Sequence, residues 1–517
     1  VKLSINPAGI VKDINAAELG MEAWNDGDNV LFRNGFAVSP PGWASAVGTT
    51  LFRPLWILPF YTPVSFYWLY VGNNDAEDAG GVGVTDGTTH WDITPAGGLS
   101  VMKAGDITGG VLNSVAFINN GIDPPQYWDS QILNPMVELP GWPVAQVCKA
   151  MRAFKYHLIA MNISDGTGDY PELVAWSSAA DPGQIPQTWV PDPANDAGNF
   201  TIAATTGGVV DGLSLRDQFI VYKQHSTTVM QYIAGQFVFS NRAAFATSGI
   251  LARNCAQELY GAHYVITDGD IIKHNGQEVT SLIDQKLKTH MFDQIDPESY
   301  PGSFMAASHA DKEIWCCFPK AGHTYSDTAM VYDINSGGWG LSELPDVPFM
   351  ARGIINNQTA PVDYEGQTDS YDTIEGRYNQ RRFNPTSDIL VMAQPADKTF
   401  LAHGGFTRSG ELVKLFMAMY SKDFGEAQRI KLITAIWPHV EAERADPNGA
   451  YYLRAGYQFD LADSIAWSDK IAITGAQFNK ADFLVSGRYI SFELSGDQAN
   501  VWRLNSLDID YELQGMW

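Results

Sequence analysis

The residues of this chain that could do chemistry are scattered rather than grouped. It contains no H-E-x-x-H, no G-x-x-x-x-G-K-[ST] and no G-x-S-x-G, so a zinc-protease helix, a phosphate-cradling loop and a nucleophile elbow are all missing. Its 10 histidines stand mostly singly. His157 and His263 each fall inside an apolar run, where an imidazole satisfied by its neighbours is favoured over a metal ligand. Asp165-Gly166-Thr167-Gly168-Asp169 is an oxygen-rich turn that could hold Ca²⁺, but it lacks the further acidic ligands of an EF-hand loop and reads first as a solvated turn. Asp75, Glu77 and Asp78 crowd three carboxylates onto one small polar tip, which faces either water or a channel. Trp176-Ser177 through Asp181-Pro182-Gly183 to Trp189 has the wrong spacing for the S-x-D-x-G-x-x-W turns of sialidases, and it occurs once. The expectation is a chain that does no covalent chemistry, with no catalytic residue, cofactor or metal.

Composition narrows the class. Asp plus Glu number 58 against 33 Lys plus Arg, a formal charge of −25, which argues against a nucleic-acid binder that must displace counterions from phosphates. It does not argue against a conduit, whose negative wall would let a polyanion slide past. Charged residues are 18% and aromatics 12%, so either the exterior is partly covered by other subunits or the interior is an aromatic-rich β core. Cys148, Cys255, Cys316 and Cys317 form no C-x-x-C, and the adjacent pair would point to opposite faces of a strand; reduced thiols of a protein that folds in a cytosol are expected. No signal peptide is expected before Val1. Residues 54–71 are uncharged and aromatic, yet Pro54, Pro59 and Pro63 would break a membrane helix, so two strands turning at Thr62-Pro63 are expected instead of a membrane span.

Positioning elements are almost all strands. One short helix is expected over 281–292, from Leu282, Ile283 and Leu287. Elsewhere apolar runs at 65–71, 114–119, 155–162, 217–223, 263–268 and 312–319 are each followed by a partner run, at 89–94, 126–129, 172–177, 227–233, 270–274 and 329–334. The spacing of about 50 residues is that of propeller blades. Asp333-Ile334-Asn335-Ser336-Gly337-Gly338-Trp339 has the form of a blade ending, in which a strand turns on glycines and anchors an aromatic. The fold expected is all-β: an irregular six- or seven-bladed β-propeller over 46–405, after an arm and hairpin over 1–45, and before a C-terminal β-sandwich-like domain over 406–517. A sandwich or open barrel is the runner-up to the propeller. Residues 350–405 are ambiguous, polar and turn-rich, with Asp363-Tyr364-Glu365-Gly366 and Arg381-Arg382. In the last strand Leu507, Ile509, Tyr511 and Leu513 alternate with Asp508, Asp510 and Glu512, as in a half-buried antiparallel strand.

The order Gly9-Ile10-Val11-Lys12-Asp13-Ile14, Glu18-Leu19, Trp24 to Asn29-Val30-Leu31-Phe32-Arg33-Asn34-Gly35, then Pro41-Gly42-Trp43 resembles the opening of the tail nozzle (tail hub) proteins of short-tailed bacteriophages. Asn119-Asn120-Gly121-Ile122-Asp123-Pro124-Pro125-Gln126-Tyr127-Trp128-Asp129, Asn195-Asp196-Ala197-Gly198, Lys422-Asp423-Phe424-Gly425 and Ser486-Gly487-Arg488-Tyr489 are similar in kind. The resemblance implies a structural virion protein, assembled in the host cytoplasm. Six copies would form a nozzle below the portal and its head-to-tail adaptor proteins, bear tail fibres or spikes and pass double-stranded DNA without binding it. Asp75, Glu77 and Asp78 are then candidates for the lumen wall. Two other classes stay open: a tail receptor- or glycan-binding protein on a propeller scaffold, and a glycan hydrolase with paired carboxylates.

Overall fold

A computed structural model describes residues 2–4, 9–21, 23–61, 66–233, 238–355, 389–404, 407–443, 450–474, 480–498 and 501–516. The chain is almost all-β and built of several sheets, as expected at that level. Six sheets of four antiparallel strands follow one another, over 53–92, 108–138, 147–201, 209–245, 256–281 and 304–347. A seventh group of four strands, Met350–Gly353, Ile389–Gln394, Thr399–His403 and, from the far end of the sequence, Trp43–Ser45, forms one end of an eleven-stranded sheet that runs on through Thr407–Arg408 into the C-terminal strands; it is called the seventh sheet below. From sheet two onward, the first strand of each sheet packs against that of the next, and Met350–Gly353 meets both Phe304–Ser308 and Arg53–Tyr61. Sheets one and two share a core through Leu55, Trp56, Ile118 and Trp128.

The six apolar runs found in the sequence are the second strands of six sheets, and five of their partners are the third strands. Second strands are buried on both faces, hence their unbroken apolar character. In sheet one the partner at 89–94 is the fourth strand; the third, Gly80–Thr85, carries three glycines and has weak strand propensity. Those glycines are needed for packing, since a Cβ at Gly81 would lie 2.2 Å from the Phe52 ring and one at Gly83 2.2 Å from the Tyr70 ring. The helix expected over 281–292 shrinks to Lys288–Phe292, because Val279–Ser281 pairs as an edge strand. At 333–339 the chain does turn on Gly337, at φ +73°, and buries Trp339 completely. Arg53–Tyr61 pairs with Phe66–Asn73 where a membrane span could be suspected, and among the described residues no helix is long and apolar enough to cross a membrane. Asp363 to Gly366, Arg381-Arg382, the Thr62-Pro63 turn and the 405/406 boundary lie outside the described residues.

The C-terminal strands form two sheets that share one apolar core. Glu411–Lys422, Tyr489–Gln498 and Ala450–Gln458 make the first; Val501–Met516, Arg429–Glu443 and Ala481–Gly487 make the second. Met417, Leu453, Phe492, Ile436, Leu507 and Ile509 meet between them. The N-terminal segment stitches both sheets to the preceding ones. Asp26–Asp28 pairs with Glu411–Lys422, and Val30 bridges Leu341 on sheet six. The hairpin Leu31–Arg33 and Phe36–Val38, turned by Asn34 and Gly35 at positive φ, adds to Val501–Met516. Val30 and Phe32 enter the large core while Leu31 enters the sixth sheet's, so this short strand is buried on both sides.

Arg33 closes the junction by an ion pair to Glu313 of sheet six, through Nε and, at 2.8 Å, Nη2. Glu313 is 1% exposed, so removing its charge leaves the Arg33 guanidinium only the longer pair to Asp311, at 3.5 Å, in a largely desolvated place. Glu313→Gln is expected to lower unfolding free energy by about 3 kcal/mol in chemical denaturation, and Arg33→Met with Glu313→Leu together by less, because the apolar pair leaves no orphaned charge.

Candidate functional site

The inner ends of sheets two to five meet in a polar knot. Arg152 donates from Nε and Nη2 to the two carboxylate oxygens of Asp211 at 2.9 and 2.7 Å, and from Nη2 to Asn254 Oδ1 at 2.7 Å. Asp211 also accepts the N–H groups of Gly212 and Asn254, at 2.8 and 2.9 Å. Four donors occupy the roughly four lone-pair positions of the Asp211 carboxylate. Asn254 Nδ2 donates to Ile107 O at 3.0 Å. Arg253 donates to Gly105 O at 3.0 Å and Lys149 O at 2.8 Å, and pairs with Asp106. Two single-turn 3₁₀ segments, Ala104–Asp106 and Tyr300–Gly302, pack directly on one another here, so close that a Cβ on Gly105 would lie 1.9 Å from Pro301 O. They belong to the connections between sheets one and two and between five and six, which are not neighbours. Their contact therefore joins two connections that lie far apart in the sequence.

The residues singled out in the sequence are not brought together. Glu77 pairs with Arg53 at 2.7 Å, Asp75 with Lys398 at 3.1 Å, and Asp78 accepts from Asn74 at 2.7 Å, which makes the acidic tip an exposed clip between sheets one and seven. Asp165 Oδ1 accepts from Thr167 Oγ1, Thr167 N and Gly168 N at 2.6, 2.7 and 3.0 Å; these bonds, the hydroxyl's first, hold its carboxyl below the usual range. Among the described residues no three His, Cys, Asp or Glu side chains gather as a metal site. Cys316 and Cys317 point into different cores, and burial pushes all four thiols up. His157 bonds Ser177 O at 2.8 Å in the interior.

His263 belongs to a buried chain of bonds that the sequence did not announce. Gly276 N–H donates to His274 Nδ1 at 3.2 Å, so His274 carries its proton on Nε2 and gives it to Tyr222 Oη at 2.7 Å. Tyr222 in turn donates to His263 Nδ1 at 2.7 Å, and His263 Nε2 donates to Ser214 O at 2.9 Å. Every polar atom is used once, which fits a neutral structural tie between sheets four and five.

An exposed arrangement lies on the outward face of the second C-terminal sheet. Trp437 is 39% exposed, and its Nε1 donates to Asp510 Oδ2 at 3.3 Å. His439 Nε2 donates to Asp508 Oδ2 at 2.8 Å. Lys480 Nζ sits 5.2 Å from the Trp437 ring centroid and 2.6 Å from Asp482, and Leu484 beyond it is 84% exposed. The outward set Asp508, Asp510 and Glu512 follows from the alternation of the last strand. Trp437 does not follow from its own, because a register shift between Ile433 and Ala435 turns it outward. The face offers an indole, carboxylate acceptors and an imidazole to solvent.

No protein-family model and no curated protein sequence matches the chain. Solved structures do, at low similarity. A protein from Lactobacillus plantarum is 12% identical, with TM-score 0.36, over 57% of this chain and 86% of that one. An exo-β-1,3-galactanase from Phanerochaete chrysosporium is 8% identical, with TM-score 0.27, over 91% and 100%. A glycoside hydrolase is 8% identical, with TM-score 0.25, over 88% and 100%. These comparisons overturn two expectations. The likeness to a phage tail nozzle, with its virion setting and DNA-ejection role, is withdrawn, since the similar structures just named are a Lactobacillus plantarum protein and carbohydrate-active enzymes. The expectation of a chain without covalent chemistry is withdrawn on the same finding. No reaction is carried over from them to this chain.

Burial lowers the pKa of His263 to about 4 and of His274 to about 3. An unfolded imidazole titrates near 6.5, so between that pH and about 4 the unfolded chain binds protons that the folded one refuses. Stability is therefore full above about pH 6.5 and falls as pH falls. Thermal melts from pH 7.5 to 4.5 should show this, and His274→Gln should reduce the slope by up to about 1.4 kcal/mol per pH unit.

Proposed function

We propose that this chain is a glycan-binding protein on a propeller scaffold, and that the Trp437 face is its saccharide platform. The seven four-stranded sheets in circuit are read as seven blades closed by Trp43–Ser45, and the two C-terminal sheets as a sandwich. In this reading 46–405 carries the propeller, 406–517 the sandwich, and 1–45 threads both. The observation that carries the proposal is the indole of Trp437, left open to water amid Asp508, Asp510 and His439. A sugar ring has an apolar C–H face, which gains by covering an indole, and hydroxyls at its rim, which donate to carboxylates.

Binding to a panel of neutral oligosaccharides by calorimetry tests the proposal. Trp437→Ala should weaken binding about tenfold or more without a change in melting temperature. Lys480→Ala, which uncovers the ring, should tighten it. Retention of no saccharide, or equal binding by Trp437→Ala, would refute the assignment. Asp508 and Asp510 stand two residues apart on one strand face, about 7 Å along it, so release of reducing ends in the same samples reads whether the pair also hydrolyses what is bound.

A further inference from the structure

A cleft of about 260 Å³ lies between the turns of sheets four and five, lined by Leu215, Arg216, Asp217, Gln218, Asn275 and Gln277. Its chemistry is donor-rich. In a chain of net charge −25, Arg216 has no ion-pair partner among the described residues. Of the neighbouring carboxylates, Glu258 accepts Gly261 N–H at 2.7 Å, while Asp217, which lines the cleft beside Arg216 and is 94% exposed, faces Lys155 at 3.4 Å. The Arg216 guanidinium lies flat over Gly261, where a Cβ would stand 2.9 Å from Nη2 and 3.1 Å from Nε. Gln218 lies in the same way over Gly276, with Oε1 3.2 Å from the position of a Cβ. Both glycines have positive φ, near +75° and +86°, so turn geometry and close approach select glycine together. Asn275 spends its Oδ1 on the N–H groups of Gln277 and Glu278, at 2.9 Å each, which leaves its Nδ2 to donate outward. Arg242, donating to Gly276 O at 3.2 Å, adds a second positive charge at the edge.

We infer that this cleft binds the carboxylate of a sugar acid, a uronic or sialic residue. Its volume falls below the ~300–1,000 Å³ of sites for drug-sized ligands and suits one sugar ring. Arg216, exposed and packed against Gly261, offers the planar fork that matches a carboxylate. The amides of Gln218, Asn275 and Gln277 are set to bond hydroxyls. The cleft is distinct from the Trp437 face and does not depend on it.

Calorimetry on the full chain with glucuronic acid, its methyl ester, N-acetylneuraminic acid and inorganic phosphate tests the inference. At least one of the two acids should bind, the ester about tenfold or more weakly than glucuronic acid if that acid is the one bound, and Arg216→Gln should lose the acid by a similar factor. Trp437→Ala should keep acid binding, and Arg216→Gln should keep any binding of neutral oligosaccharides, so failure of one site is told apart from failure of the other. Equal binding of acid and ester, equal binding by Arg216→Gln with an unchanged melt, or phosphate binding as tightly as the acids through Arg216 would each overturn the assignment.

Discussion

The seventh sheet depends on three backbone pairs, Leu401 with Ser45, Ala402 with Ala44 and His403 with Trp43, which join residues about 350 positions apart. Closing a loop of that length costs on the order of 5 kcal/mol of chain entropy. Three ladder pairs at about 0.5–1.5 kcal/mol net per hydrogen bond are too little to offset this with any margin. The remainder comes from side chains: Trp43 is buried with Leu401 and Met392, Arg408 stacks over its indole at 4.5 Å, and Ser45 bonds Thr399 at 2.8 Å. Once Trp43–Ser45 is fixed there, the rest of the N-terminal segment has one short path, across sheet six and into the C-terminal sheets. The Arg33–Glu313 pair and the Asn29 bonds to Glu343 and Lys414 O lie along that path.

Much of this was legible in the sequence, and what was not has physical reasons. Strands buried on both faces carry their signal within themselves, which is why the second strand of each of six sheets could be read. Gly80–Thr85 could not, because its glycines answer to the rings of Phe52 and Tyr70 across the sheet rather than to local propensity. The seventh sheet was hidden because its fourth strand is supplied from residue 43 onward, and no periodicity reports a partner that distant. The hairpin turned by Asn34-Gly35 was legible because positive φ at two successive residues is a local demand. The exposure of Trp437 has no sign in the sequence, since one bulge inverts the side it faces. The Arg216 cleft gave no signal at all: its residues are ordinary turn residues until sheets four and five are set side by side.

Aromatic excess has an account within the fold. Small sheets packed in series have small cores, and Trp68, Trp128, Trp315 and Trp339 are each almost wholly buried in them. A single large side chain fills such a core with fewer ordered bonds than several aliphatic ones, and its area removes most of the sheet's inner face from water.

Charge is distributed by the same economy. Cations are scarce in this chain, and several are sunk into the interior to hold carbonyls that irregular backbone would otherwise leave unpaired. Lys422 donates to Ala16 O, Leu19 O and Gly20 O at 3.1, 2.7 and 3.4 Å, and its burial lowers its pKa to about 8. Lys431 holds Glu426 O and Arg488 O, and Lys223 holds Ile202 O beside Glu172. Each buried cation of this kind is costly unless its protons find oxygens, and Lys422 and Lys223 each meet three. With Lys and Arg committed in this way and carboxylates in surplus, most of the surface is left to acceptors. A face such as that of Trp437, rich in carboxylates, is what this composition yields by default, whereas an arginine packed against a glycine and without an ion-pair partner among the described residues is what it does not. That contrast is why the two candidate sites call for ligands of opposite character: hydroxyl donors for one, a carboxylate acceptor for the other.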